Sequence, residues 1–397
     1  MERVRPGLML TLAATLLAAG CGGGEGPGDE PRGAAAIADP VVTLRAELAG
    51  ALGARAWLTA FAVRTTLIDG AAAPTTLGAR RALDAGSAAL AARVGTAIGG
   101  RERVLVLLRR QDELWTDVAR ARAADDPAAR SAAEFGLDDN RDALTDLLGA
   151  EPLDAREVER ELTSANTGLA AAVAAIAAGE ASAPARIATA AARAVRPAQA
   201  LARAAERRGA EGRAGSPAAE LASLAAVTFS DSAYAQTTVS GVVAAGIMSG
   251  PRLSAASSTL QATTETLGQL VASVRGEDAG QRFGASWSAQ ATALAAYTRA
   301  KVADDAPAAR AAIAELERVR REIAALLEEL DPEAPRSELR KALRKHADAA
   351  TATIRAQATK SPKVGPRLLE TAAAARKVGR VIAMRFADRF PEKFPAR

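Results

Sequence analysis

The chain has 397 residues, room for two ordinary domains, and 49% of them are apolar while only 3% are aromatic, which calls for a core of alanine, leucine and valine. One cysteine excludes an intramolecular disulfide, and one histidine excludes every zinc site built on two imidazoles and disfavours a Ser/His/Asp or Cys/His hydrolase. The net charge of +5 is too mild to point to nucleic acid by itself.

Arg3 and Arg5 precede an apolar run from Leu8 to Leu17, the layout of an export signal and too short to cross a bilayer as a helix. The run closes in Leu17-Ala18-Ala19-Gly20-Cys21, which resembles the lipobox of bacterial lipoproteins. The resemblance implies removal of residues 1–20, acylation of Cys21, and durable anchoring by two or three acyl chains where one would bind reversibly. An ordinary export signal that leaves a free thiol is the alternative. Gly22 stands where an inner-membrane retention signal would place Asp, so a host with two membranes would carry the protein on the outer one. Residues 21–40, rich in Gly and Pro, are expected to be the lipidated Cys and an extended tether. No later stretch holds 18 consecutive apolar residues, so nothing after the signal is expected to span a membrane.

From residue 43 onward Ala, Leu, Arg and Glu dominate, and apolar residues recur at helical steps. Val158, Leu162, Ala165, Leu169 and Val173 make one stripe; Leu316, Val319, Ile323, Leu326, Leu327 and Leu330 make another. Breaks fall at Gly70 to Pro74, Gly99-Gly100, Asp125-Asp126-Pro127, Gly149 to Pro152 and Gly179 to Pro184. They return about 180 residues later: Asp125-Asp126-Pro127 as Asp304-Asp305-Ala306-Pro307, Ile68-Asp69-Gly70 as Met248-Ser249-Gly250. That offset is far longer than a solenoid period. The expected fold is all-α: two tandem antiparallel helical bundles from an internal duplication, residues 41–208 and 222–397, joined by a linker at 209–221. Ala233-Tyr234-Ala235-Gln236, which imitates a signal-peptidase site, is read as the start of the second bundle's first helix.

A family resemblance rests on Trp287-Ser288-Ala289-Gln290, on Tyr297, on Leu339, Leu343 and His346 in Leu-x-x-x-Leu-x-x-His spacing, and on the closing Phe390-Pro391-Glu392-Lys393-Phe394. Together they resemble a poorly characterised family of secreted or lipid-anchored bacterial proteins with tandem all-helical domains. The resemblance implies a His where this chain has Gln290, matched in the first half by Gln111, and it retains His346, whose counterpart lies near Ala165. A metal or cofactor held by the family's histidines would have lost most of its ligands here.

His346 is flanked by Arg344 and Lys345, which disfavours its protonated form and repels a metal cation, so a structural or surface histidine is the simpler reading. There is no haem attachment motif, no Glu-x-x-His pair and no phosphate loop. Glu328-Glu329 and Asp138-Asp139 read as solvated faces, and Trp57, Trp115 and Trp287 as core anchors. The expectation is a non-enzymatic helical binding or structural module of the cell envelope, with no cofactor and no metal. The alternative is a ligand- or metal-binding bundle, sensory in role, with a pocket between helices near Gln290, Tyr297 and His346. Residues 336–397 carry sixteen Lys and Arg against five Asp and Glu. This basic C-terminal region would suit an anionic lipid, envelope polymer or acidic protein, while export argues against nucleic acid.

Overall fold

Strong helix formers fill the chain, and every regular element of the computed structural model, which describes residues 33–149, 155–193, 195–330 and 336–395, is an α-helix. After a short α1 (Gly33–Ala38) come α2 (Pro40–Ile68), α3 (Pro74–Ile98), α4 (Arg101–Ala123), α5 (Pro127–Leu148), α6 (Ala155–Ala177), α7 (Ala183–Arg193) and α8 (Val195–Arg207). The second half holds α9 (Pro217–Ala244), α10 (Pro251–Arg275), α11 (Glu277–Val302), α12 (Ala306–Leu330), α13 (Arg336–Ala358) and α14 (Val364–Arg389). Taken in order, α2 to α6 match α9 to α13, and α7 with α8 stands opposite α14.

One pair of turns matches, whereas the expected pairing of Ile68-Asp69-Gly70 with Met248-Ser249-Gly250 does not hold: the former closes α2 and the latter opens α10. Asp125 and Asp304 both adopt the left-handed conformation, with φ of 51° and 52°. In each turn the next aspartate caps the following helix: Asp126 accepts from the Ala129 N–H and Asp305 from the Ala308 N–H, both at 2.9 Å.

The long helices α2 and α9 lie side by side in parallel. Gly50 faces Ala226, Trp57 stacks on Tyr234, and Gly241 approaches Arg64, so equivalent positions meet along the pair. Around this pair one contact has a counterpart: the head of α14 rests on α3, and the turn before α7 rests on α10. A Cβ on Gly78 would sit 2.1 Å from the Pro362 carbonyl oxygen, so only glycine permits α3 and α14 to touch there. At the other end a Cβ on Gly379 would lie 2.8 Å from the Ala225 carbonyl oxygen, which places α14 directly on α9.

The interior is shared by the two halves. Ala36, Ile37 and Val42 from α1 and α2 pack into one cluster with Phe229, Phe283, Trp287, Ile323, Val378 and Phe386. Two expected boundaries therefore shift. Residues 33–38, placed in the tether, form α1, with Ile37 buried and the Ala34 N–H donating to Asp388 at 2.7 Å. The short apolar run Ala34 to Ala38 finds a core that composition around it did not announce. Likewise α9 starts at Pro217, inside the expected linker, because Ser216 caps it by accepting from the Ala219 N–H and Leu221 is core. Ala233 to Gln236 falls in the middle of α9 rather than at a helix start.

Candidate functional site

The three candidate pocket residues are all buried, and Tyr297 packs in a different cluster from Trp287, the ring that His346 stacks on. His346 on α13 stacks on Trp287 of α11, ring centroids 5.6 Å apart and planes 8° from parallel. Trp287 in turn packs on Phe229 and Phe283, and its indole N–H donates to Ser232 Oγ at 2.8 Å. Burial pulls the His346 imidazole down to about 4, opposed by a hydrogen bond with the Thr371 backbone. Lys345 and Arg344 point out, so the cationic neighbourhood expected from the sequence is not what sets its charge; removal from water is. Gln290 lies one turn beyond Trp287 and its Oε1 has no hydrogen-bond partner; neither does His346 Nδ1. Tyr297 belongs to a separate cluster with Leu294, Leu316, Ala350 and Ile354, where its hydroxyl accepts from Arg355 at 3.4 Å.

Between α2, α3 and α4 of the first half lies a charged network. Arg55 of α2 donates to Gln111 Oε1 at 2.8 Å, to the Leu108 carbonyl oxygen at 3.1 Å, to Ser87 Oγ at 3.3 Å, and forms an ion pair with Asp112. Ser87 Oγ donates to the other Asp112 oxygen at 2.8 Å, and Gln111 passes a donor on to Asn166 at 2.9 Å. Burial pushes the Asp112 carboxyl above its ordinary value, against the pull of Arg55 and Ser87. Gln111 had been singled out only as the partner of Gln290; the arginine that organises the network lies mid-helix with no local signature.

Between α2 and α9 a second polar group is enclosed. Asp231 receives one hydrogen bond, from the Trp57 indole N–H at 3.0 Å, and burial raises its carboxyl to about 7 despite that bond. Tyr234, stacked on Trp57 with centroids 5.7 Å apart, has a buried hydroxyl without a partner, and its ionisation is pushed up by burial. Arg376 of α14 reaches this seam, donating to Ser230 Oγ at 3.3 Å, and burial lowers its affinity for the proton.

The basic C-terminal helix divides its cations between interior and surface. Arg376 and Arg385 turn inward and Arg367 pairs with Glu370, leaving Lys377, Arg380 and Arg389 on the outside. Glu328, read as part of a solvated face, is 9% exposed and bound by both guanidinium donors of Arg340 at 2.8 Å. Cys21 lies outside the described residues.

Two surface clefts stand apart from all of these. One, about 700 Å³, is lined by Arg203, Glu206, Arg207, Arg213, Gly215, Ser216, Pro217 and Pro395. The other runs between α4 and α5 beside Val106 and Leu147. Among the described residues no group of three or more His, Cys, Asp or Glu is placed to hold a metal ion, and no helix is long and apolar enough to cross a membrane. No family model, curated protein or solved structure matches the chain.

Proposed function

We propose that this is a lipid-anchored protein of the cell envelope that works as a non-enzymatic helical module, presenting its surface to a partner. The observation that carries the reading is the place of the only cysteine, Cys21, at the close of Leu17-Ala18-Ala19-Gly20. The interior supports the rest of it. The buried ion pair Arg55–Asp112 is tied up in holding helices together, and Asp231 is committed to Trp57. Mass spectrometry of the amino-terminal peptide from the membrane fraction tests the anchor. A diacylglyceryl thioether on Cys21, and release of Cys21→Ser into the soluble fraction, is the expected result; a free thiol with unchanged fractionation would sink it.

A second reading, a ligand- or metal-binding bundle, is favoured by one feature: Gln290 Oε1 and His346 Nδ1 are buried polar atoms without partners. Native mass spectrometry with metal analysis separates the two. A stoichiometric adduct lost in His346→Ala supports a ligand site, whereas a bare lipidated mass supports the module.

A further inference from the structure

The cleft at the junction of α8 and α9 carries more positive charge than the chain itself neutralises. Arg203 and Arg207 lie one turn apart on α8, Arg213 comes from the following turn, and none of the three makes an ion pair among the described residues. Like charges four apart on a helix repel, so an arrangement of this kind costs stability until an anion arrives. The one carboxylate in the cleft, Glu206, is already engaged, accepting from the Ala214 N–H at 3.0 Å. Behind the wall lies Arg45 of α2, only 5% exposed. Its guanidinium donates to the Ala214 carbonyl oxygen at 2.7 Å, its Nε has no partner, and it feels both Arg203 and Glu220. A buried guanidinium with an unmet donor, backing three unpaired arginines, is an independent sign of missing negative charge. The first turn of α9 opens on the same cleft at Ser216 and Pro217, adding the positive end of a long helix.

We propose that this cleft binds a phosphate group, with Arg203, Arg207 and Arg213 as its donors. A free phosphate or phosphomonoester offers three or more oxygens to the three guanidinium forks, and a phosphodiester headgroup offers two tetrahedrally placed anionic oxygens that can bridge arginines of α8 and the following turn. A volume of about 700 Å³ leaves room for an organic remainder. The cleft also sits where the described chain begins: the Val41 N–H donates to the Glu211 carbonyl oxygen at 3.2 Å, and Asp39 packs against Gly212. About a dozen residues separate Cys21 from α1, a span of at most roughly 40 Å when extended. On the anchored reading, on which this choice of source rests, the phosphate is that of an anionic lipid headgroup; a soluble phosphate compound has the same chemistry.

The test titrates the purified full chain in detergent with sodium phosphate, with dihexanoyl phosphatidylglycerol and with dihexanoyl phosphatidylcholine, at matched ionic strength, following the unfolding midpoint and the heat of binding. The lipid source predicts saturable binding of phosphatidylglycerol that is tighter than that of phosphate or phosphatidylcholine. Phosphate binding as tight as phosphatidylglycerol keeps the site and assigns it to a soluble ligand. Arg203→Gln or Arg213→Gln, both exposed and unpaired, should weaken binding about tenfold or more, while Arg110→Gln on α4 leaves it unchanged. Binding of none of the three probes, or equal binding by all three variants, overturns the proposal. Absence of lipid on Cys21 with intact phosphate binding would defeat the anchor and spare the site.

Discussion

In the first half of the molecule, Arg55 of α2 crosses to α4, where it holds Leu108, Gln111 and Asp112. About 180 residues further on, Ser232 of α9 crosses to α11, where it holds Trp287 one turn before Gln290. Helices of the same order in each half are joined, once by a guanidinium and once by an aromatic stack of Phe229, Phe283, Trp287 and His346. The two solutions differ in what they supply. A buried charged network fixes register through directional bonds but returns little net stability after desolvation, whereas the aromatic cluster stabilises through the area it removes from water.

Substitution should expose that difference sharply. Arg55→Leu strands Asp112 without its partner and is expected to cost about 3–5 kcal/mol, while Arg55→Met with Asp112→Leu together should recover most of that loss. Trp287→Ala should cost about 3–5 kcal/mol as well, but with no second change nearby that restores it, because the loss is volume rather than charge. Denaturant unfolding of the four proteins measures this. A double variant as unstable as Arg55→Leu alone would mean the network contributes stability of its own.

The second half also places two opposite titrations in the core. His346 binds its proton near 6.5 when unfolded but near 4 when folded, so it removes on the order of 3 kcal/mol as the pH falls through that window. Asp231 shifts the other way, from 3.8 to about 7; its contribution is full below 3.8 and declines by on the order of 4 kcal/mol as the pH rises to 7. Tyr234 and Arg376 face the Asp231 seam; burial raises the Tyr234 hydroxyl and lowers the Arg376 guanidinium from their ordinary values. Relative to the parent, Asp231→Asn should gain stability steadily from pH 4 to pH 7. His346→Phe, which keeps a ring against Trp287, should gain as the pH falls from 6.5 to 4. Parallel curves for parent and variant would show that the group titrates alike in both states.

How much of this was legible in the sequence follows from the range of each interaction. Helices, their breaks and the burial of Trp57, Trp115 and Trp287 depend on spacing and local chemistry, and these were readable. The Trp57–Tyr234 stack and the Trp57–Asp231 bond join residues on two separate long helices, and no periodicity within either helix announces them. Asp231 sits among Ser230 and Ser232 on a helix buried on nearly every side, where a polar run reads as a solvent face. Arg376 and Arg385 differ from the expectation for another reason: Arg385 is 6% exposed and Arg376 reaches Ser230 in the seam of α2 and α9, so counting charge along α14 overstates what the helix shows to solvent. Cys21 stood out because its context is contiguous. Gln290, Tyr297 and His346 show their chemistry in the sequence, but packing puts Tyr297 in a cluster apart from the Trp287–His346 stack.

The smallest effect bears most directly on the match between the halves. If the α4–α5 and α11–α12 turns are one design used twice, Asp126→Ala and Asp305→Ala should each cost about 1 kcal/mol, equal within a few tenths, since each removes a single cap on an exposed first turn. Pro127 follows the first cap directly and Pro307 the second after one residue, so the proline that fixes the opening dihedral sits differently while the cap bond does not. Equal losses would therefore assign the turn's stability to the aspartate, and unequal ones to the placement of proline. Equal turns around unequal interiors would mean that the connections set the arrangement of the helices, leaving the space between them free to be filled by either charge or aromatic area.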